Sequence, residues 1–93
     1  MKINLQTLHF KASDNLNNFV EEKVGKLVRF DDSIISAEVT LTEDGNSVDN
    51  KFCDIRLVVP GNDDFVKKNA VSFEVAIADA VDTLQKILTE KKR

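Results

Sequence analysis

Few side chains in this sequence could do covalent chemistry. There is one imidazole, His9, and one thiol, Cys53, and the chain has neither Tyr nor Trp. Nucleophilic catalysis needs a Ser or Cys activated by a neighbouring base, usually His. A structural zinc site needs about four Cys or His ligands. One residue of each kind supplies neither. Three carboxylate doublets, Asp31-Asp32, Glu43-Asp44 and Asp63-Asp64, have the composition of an acid–base or metal pair. All three fall in segments that read as turns, where Asp is favoured because it hydrogen-bonds nearby backbone. Asp44-Gly45-Asn46 is too short for a calcium loop, and no Gly-rich phosphate loop occurs. Cys53 reads as a small core residue on the inward side of a strand. His9 reads as a strand-end residue, with an RNA contact as the alternative. The chain is therefore expected not to be an enzyme, and to need no cofactor and no small-molecule substrate.

What remains is electrostatic. Lys23, Lys26 and Arg29 recur every three residues. On a helix that spacing makes a slightly spiralling basic stripe. Lys23 falls at the edge of the apolar arc, toward Phe19 and Phe30, so its stem must lie on apolar surface with the ammonium at a rim or groove. Lys86, Lys91 and Lys92 lie in a second helical segment, and Lys67 and Lys68 just precede it. The net charge of −3 argues against a polyanion partner at first sight. It hides a segregation. Residues 31–66 hold nine acidic residues against Lys51 and Arg56, or −7; the rest holds eleven basic against seven acidic residues, or +4. Two readings of the basic stripe stand side by side. One is an ordinary solvated helix face with i,i+4 pairs such as Glu22–Lys26 and Asp82–Lys86. The other is a groove that neutralises backbone phosphates and releases counterions.

The elements that position these residues follow from periodicity. Residues 2–8 alternate, with Ile3, Leu5 and Thr7 on one face, and read as a half-buried strand. Ser13 and Asp14 open a helix with apolar positions at Leu16, Phe19, Val20, Val24, Leu27 and Val28. It is expected to run from about 14 to 29 and to stop at Asp31-Asp32-Ser33. Gly25 lowers its stability by roughly 1 kcal/mol relative to Ala and falls on the solvent side. Residues 34–42 alternate with Ile35, Ala37, Val39 and Leu41 inward. A polar hairpin loop follows, then a strand over about 51–59 with Cys53, Ile55, Leu57 and Val59 inward. Pro60-Gly61-Asn62-Asp63 is a turn. A shorter strand covers about 64–69, its register not fixed by its pattern. Among the phenylalanines only Phe52 looks outward-facing in its strand; the others read as core or rim. Ser72 caps a second helix whose apolar stripe is Phe73, Ile77, Ala80, Val81, Leu84, Ile87 and Leu88, closed by Lys91, Lys92 and Arg93 where cations suit the helix dipole.

The order β-α-β-β-β-α, with one apolar stripe per helix and one apolar side per strand, predicts a two-layer α+β sandwich: a four-stranded sheet with two helices on one face. A right-handed crossover joins the first two strands. The 93 residues allow one domain, 1–93, burying roughly 60–65% of the unfolded chain's surface. No apolar run approaches the roughly 20 residues of a membrane helix, and Met1-Lys2 leads into a strand pattern rather than a signal peptide. A lone Cys supports no internal disulfide. The protein is expected in the cytoplasm, without a membrane partner.

Four stretches together resemble the ribosome hibernation-promoting factors, also called ribosome-associated inhibitors or ribosomal subunit interface proteins. They are HFKASDNLNNFV (9–20), FVEEKVGKLVRFDDSI (19–34), ISAEVTL (35–41) and SFEVAIADAVDTLQKIL (72–88). No single motif decides it; the ensemble spans nearly the whole chain. The resemblance implies a β-α-β-β-β-α fold and a domain that binds the small ribosomal subunit, on ribosomal RNA in the channel for messenger RNA and tRNA. It implies silencing of idle ribosomes in stationary phase or stress. Lys23 and Lys26 match the family's two helix lysines, Lys86 a basic position in the closing helix, and Lys91 and Lys92 its basic tail; Arg29 matches more loosely. With Lys68, these are the candidate RNA-binding residues. Ribosomal proteins are further candidate partners, the acidic hairpin region being a fit for basic ones.

The chain departs from the family pattern at Thr83, often Lys, and Ala78, often Asp. It departs again at Glu74, often aromatic, and Glu90, often basic. The closing helix is thus less positive than the family's. Ending at Arg93, the chain is expected to be a short form without the long members' dimerisation domain. Whether it pairs ribosomes or only blocks the channel does not follow. The helix–sheet order is also similar to double-stranded-RNA-binding modules, but those begin with a helix, so a stand-alone module of that type ranks second.

Overall fold

The structure, a computed structural model, describes residues 1–45 and 48–91. Lys92 and Arg93, expected at the end of the second helix, and Asn46 of the hairpin loop lie outside the described residues.

The strands are β1 (Lys2–Leu8), β2 (Ser36–Glu43), β3 (Lys51–Val58) and β4 (Asp64–Ala70). They form one sheet in the order β1-β2-β3-β4. β1 runs parallel to β2, with Leu5 beside Val39; β2–β3 and β3–β4 are antiparallel, with Val39 beside Ile55 and Ile55 beside Val66. α1 (Asp14–Gly25) and α2 (Phe73–Lys91) both lie on one face of the sheet. α2 packs on β3 and β4, α1 reaches β1, and the helices touch each other. This is the expected two-layer α+β architecture, its second sheet face open.

Both expected caps form. Ser13 Oγ accepts the Leu16 N–H at 3.1 Å, and Ser72 Oγ accepts the Val75 N–H at 3.2 Å. Each satisfies one of the amides that a helix start leaves without an intrahelical partner. Between helices and sheet lies one core whose fully buried members include Val20, Val24 and Leu27 from the first helical segment, Leu41, Ile55 and Leu57 from the sheet, and Ile77, Leu84 and Leu88 from α2. Each such side chain contributes about 1.5–3 kcal/mol by leaving water. Cys53 is fully buried among them, as its inward position predicts.

Four details depart from the sequence reading. The first helix does not stay α-helical to residue 29: after Gly25 the chain tightens into a 3-10 turn over Lys26–Arg29. Gly is a weak helix former, and helix ends commonly close as 3-10 turns. The larger rotation per residue there swings Val28 out of the apolar stripe, leaving it 38% exposed. Ile35 does not face in. It precedes β2, is 59% exposed, and Ile34 enters the core in its place. The alternation of residues 34–42 extrapolates past the point where the strand begins. On α2, Ala76 joins the buried stripe. Finally, pairing of Phe65 with Arg56 puts Phe65 on the open face, 52% exposed, so Phe52 is not the sole outward phenylalanine. Arg56 lies 5.5 Å from the Phe65 ring centre and Lys67 5.7 Å from that of Phe52, cation–π contacts that shield both rings.

Candidate nucleic-acid interface

The basic stripe of the first helix becomes one wall of a groove. Lys23, Lys26, Leu27, Arg29 and Phe30 line it from the first helical segment, and Val81, Asp82 and Gln85 from α2. The groove encloses about 230 Å³. Its floor is apolar (Leu27, Phe30, Val81) and its rim is charged. The 3-10 turn helps build it. In that conformation residues three apart eclipse one another, so Lys26 and Arg29 stack along one line instead of continuing to spiral.

Lys23 sits as its place on the helical wheel predicts. It is half-buried, and its Nζ lies 5.6 Å from the centre of the Phe19 ring. The ring face holds the ammonium at the groove by a cation–π contact while the stem covers apolar surface. Lys26 and Arg29 are exposed. Three cations thus line the groove against one carboxylate, Asp82.

The other candidates divide. Lys86 lies in an adjoining hollow with Gln85, Thr89 and Glu90, contiguous with the groove through Gln85. Glu90 offsets its charge. Lys91 points elsewhere: its Nζ is 2.7 Å from Asp64 Oδ2, pinning the last turn of α2 to the start of β4. Lys68, paired with Cys53 in the sheet register, is half-buried on the edge strand and does not line the groove. Lys92 is outside the described residues. Asp82 and Gln85 are groove residues that the charge pattern did not single out. Their spacing from Val81 along α2, one and four residues at the margin of its apolar stripe, is the signal that marks them.

Two further ion pairs, Lys51–Glu43 at 2.6 Å and Arg56–Asp63 at 3.9 Å, join Lys91–Asp64. Lys23, Lys26, Arg29 and Lys86 take part in none of the three. Neither Glu22–Lys26 nor Asp82–Lys86 is among the three ion pairs. The carboxylate doublets behave as turn and surface groups. Asp31 accepts the Ser33 N–H at 2.9 Å, and Glu43, Asp63 and Asp64 each meet a cation. Among the described residues no three His, Cys, Asp or Glu side chains converge as a metal site. Burial, and secondarily the adjacent Asp54 carboxylate, pushes the Cys53 thiol up to about 12, so it is no nucleophile at neutral pH. His9 lies beyond the end of β1 with φ 73°, a left-handed conformation that His tolerates better than most residues.

The family model described as "Sigma 54 modulation protein / S30EA ribosomal protein" matches residues 3–93. The chain belongs to this family. It is the family to which the sequence resemblance pointed. Among solved structures, the chain is similar to the Thermus thermophilus Protein Y N-terminal domain, with 26% identity and a TM-score of 0.85. That match covers 98% of this chain and 99% of the other. It also shares its fold with a ribosomal subunit interface protein from Coxiella burnetii at 16% identity and a TM-score of 0.87, over 99% of this chain and 98% of that one. No curated protein sequence matches significantly. Among the described residues no helix is long and apolar enough to cross a membrane.

Proposed function

We propose that this family member is a cytoplasmic translation inhibitor. It docks the groove between its helices on ribosomal RNA of the small subunit, in the channel for messenger RNA and tRNA. By filling that channel it silences idle ribosomes under stress or in stationary phase. The observation that carries the reading is the convergence of Lys23, Lys26 and Arg29 on one groove, in a chain whose family model spans residues 3–93. Lys86 extends the basic surface from α2. Steric exclusion by a pre-folded domain needs no bond making, so the protein acts without catalysis or cofactor. Lys68 and Lys91 are peripheral in this reading, and Asp82 with Glu90 moderates affinity.

Co-sedimentation with purified small subunits through sucrose gradients tests it, followed by translation in vitro. A Lys23→Ala, Lys26→Ala variant keeps its fold by circular dichroism, co-sediments poorly and inhibits weakly. Equal co-sedimentation of variant and parent at moderate salt removes the groove from the reading. Tight binding to free RNA duplexes without ribosomes favours the double-stranded-RNA module instead.

A further inference from the structure

The sheet has two edges, β1 and β4. An edge strand presents a row of N–H and C=O groups without sheet partners, and proteins usually blunt such a row with charge. Here the two edges differ. β4 carries Asp64, Lys67 and Lys68 within seven residues. An antiparallel copy centred on Lys67 would set that lysine opposite itself, and like charges directly opposed repel. β1 carries one charge, Lys2, at its first position; Ile3, Asn4, Leu5, Gln6, Thr7 and Leu8 carry none.

The direction of the β1 backbone groups follows from one bond. Lys2 donates its N–H to the Ile35 carbonyl at 3.2 Å. Alternate residues therefore face β2, and the groups of Ile3, Leu5 and Thr7 point away from the sheet. The side chains of these three lie on the helix-covered face but are only half-buried, whereas their β2 partners Ala37, Val39 and Leu41 are at most 1% exposed.

We propose that β1 pairs antiparallel with β1 of a second copy of this chain, about a two-fold axis through Leu5. In that register Ile3 stands opposite Thr7, and Leu5 opposite Leu5. Outward-pointing groups meet outward-pointing groups, and each of these pairs exchanges two hydrogen bonds. On the helix side the half-buried apolar side chains cover one another. On the open side Asn4 stands opposite Gln6, a neutral amide pair, and Lys2 opposite Leu8. No like charges meet across the strand seam, and the contact is self-complementary, as a closed dimer requires. The axis runs perpendicular to the sheet, so both helix layers stay on one face. A seam this small belongs to weak, concentration-dependent interfaces. It leaves Lys23, Lys26 and Arg29 uncovered and does not rest on the RNA reading.

Sedimentation equilibrium of the full chain from about 10 µM to about 1 mM, a range suited to weak association, combined with residue-resolved amide exchange, tests the dimer. The weight-average mass is expected to climb from 10.4 kDa toward twice that value. The Ile3, Leu5 and Thr7 amides slow by about fivefold or more across the series, while the Asn4 and Gln6 amides, already bonded to β2, do not change. Two variants at exposed positions separate pairing from folding, each checked by circular dichroism. Asn4→Lys with Gln6→Lys sets like charges across the seam and stays monomeric. Asn4→Lys with Gln6→Glu sets opposite charges there and dimerises at several-fold lower concentration. A monomer mass throughout, a dimer that leaves the three outward amides unprotected, or a doubly lysine-substituted variant that associates like the parent would each overturn the pairing.

Discussion

Replacing Lys23 and Lys26 by glutamine weighs the groove most directly, because glutamine removes the charge and keeps much of the apolar stem that lies near Phe19. The magnitude follows from counterion release. Each phosphate neutralised adds about 0.7–0.9 to the slope of log affinity against log salt. Three cations line the groove. If each meets one phosphate, the parent slope is about 2–3. Raising salt fourfold, from about 50 to about 200 mM, then lowers affinity by about 20–40-fold. The double variant keeps Arg29 alone and loses only about threefold over the same range. Fluorescence anisotropy of N-terminally dye-labelled protein, titrated with small subunits at four or five salt concentrations, reads both slopes. The discriminating quantity is the difference in slope, which is insensitive to a uniform loss of affinity from disturbed packing. Parallel salt lines for parent and variant mean that these lysines contact no phosphate, wherever on the ribosome the protein binds, and that the groove is not an RNA-contacting surface.

Asp82 is the carboxylate in the groove lining. Asp82→Asn is expected to raise affinity for small subunits by about two- to fivefold at low salt, the range of an exposed charge interaction, with the gain fading as salt screens it. Unchanged affinity at low salt would show that this wall of α2 does not approach RNA. Cys53 supplies a pH prediction. Its folded-state pKa, about 12, exceeds the ordinary value of 9.0, so between those values the folded state holds a proton that the unfolded state releases. Stability is full below pH 9 and falls as pH rises toward 12, by on the order of 1.4 kcal/mol per pH unit. Urea unfolding at pH 8, 9 and 10 measures the decline, and Cys53→Ala flattens it; an equally steep decline in the variant assigns it to other groups.

The parts legible in the sequence were those set by local chemistry. Ser13 and Ser72 announce helix starts because a hydroxyl there satisfies a free amide. Ala37, Val39, Leu41, Cys53, Ile55 and Leu57 announce β2 and β3 because one sheet face is covered and the other is not. Lys23 could be placed at a groove because a cation at the margin of an apolar arc has one direction in which to reach water. The failures needed information that periodicity lacks. The strand-like alternation of residues 34–42 does not say at which residue pairing begins, so it points Ile35 inward although β2 starts at Ser36 and Ile35 is exposed. The short pattern of β4 left open which face Phe65 occupies until pairing with Arg56 fixed it. Lys91 shares a basic tail with Lys92, yet its partner is Asp64, 27 residues earlier in the chain, and only the fold brings them together. The 3-10 turn after Gly25 was foreshadowed by that residue's weak helix propensity, but not the alignment of Lys26 with Arg29 that it produces.

That an anionic chain presents a cationic groove follows from distances rather than from totals. The hairpin between β2 and β3 lies at the end of the sheet where β4 leads into α2, since Lys51 pairs with Ala70. The groove draws on α2 at Val81 to Gln85, eight to twelve residues beyond Phe73, or about 12–18 Å along the helix at 1.5 Å per residue. That exceeds the Debye length of about 8 Å at physiological salt. Three of the nine acidic residues of segment 31–66 are also met locally: Glu43 by Lys51, Asp63 by Arg56 and Asp64 by Lys91. Lys51 and Arg56 are the two cations of the acidic segment 31–66, and both are spent there rather than at the groove. Lys91 is spent on the same segment from outside it, where it anchors the end of α2 to β4 rather than adding charge to the groove. A phosphate approaching the groove therefore meets Lys23, Lys26, Arg29 and the opposing Asp82, with Asp31 and Asp32 one and two residues beyond Phe30 and the hairpin carboxylates screened, and the sum over the whole chain does not describe the field it encounters.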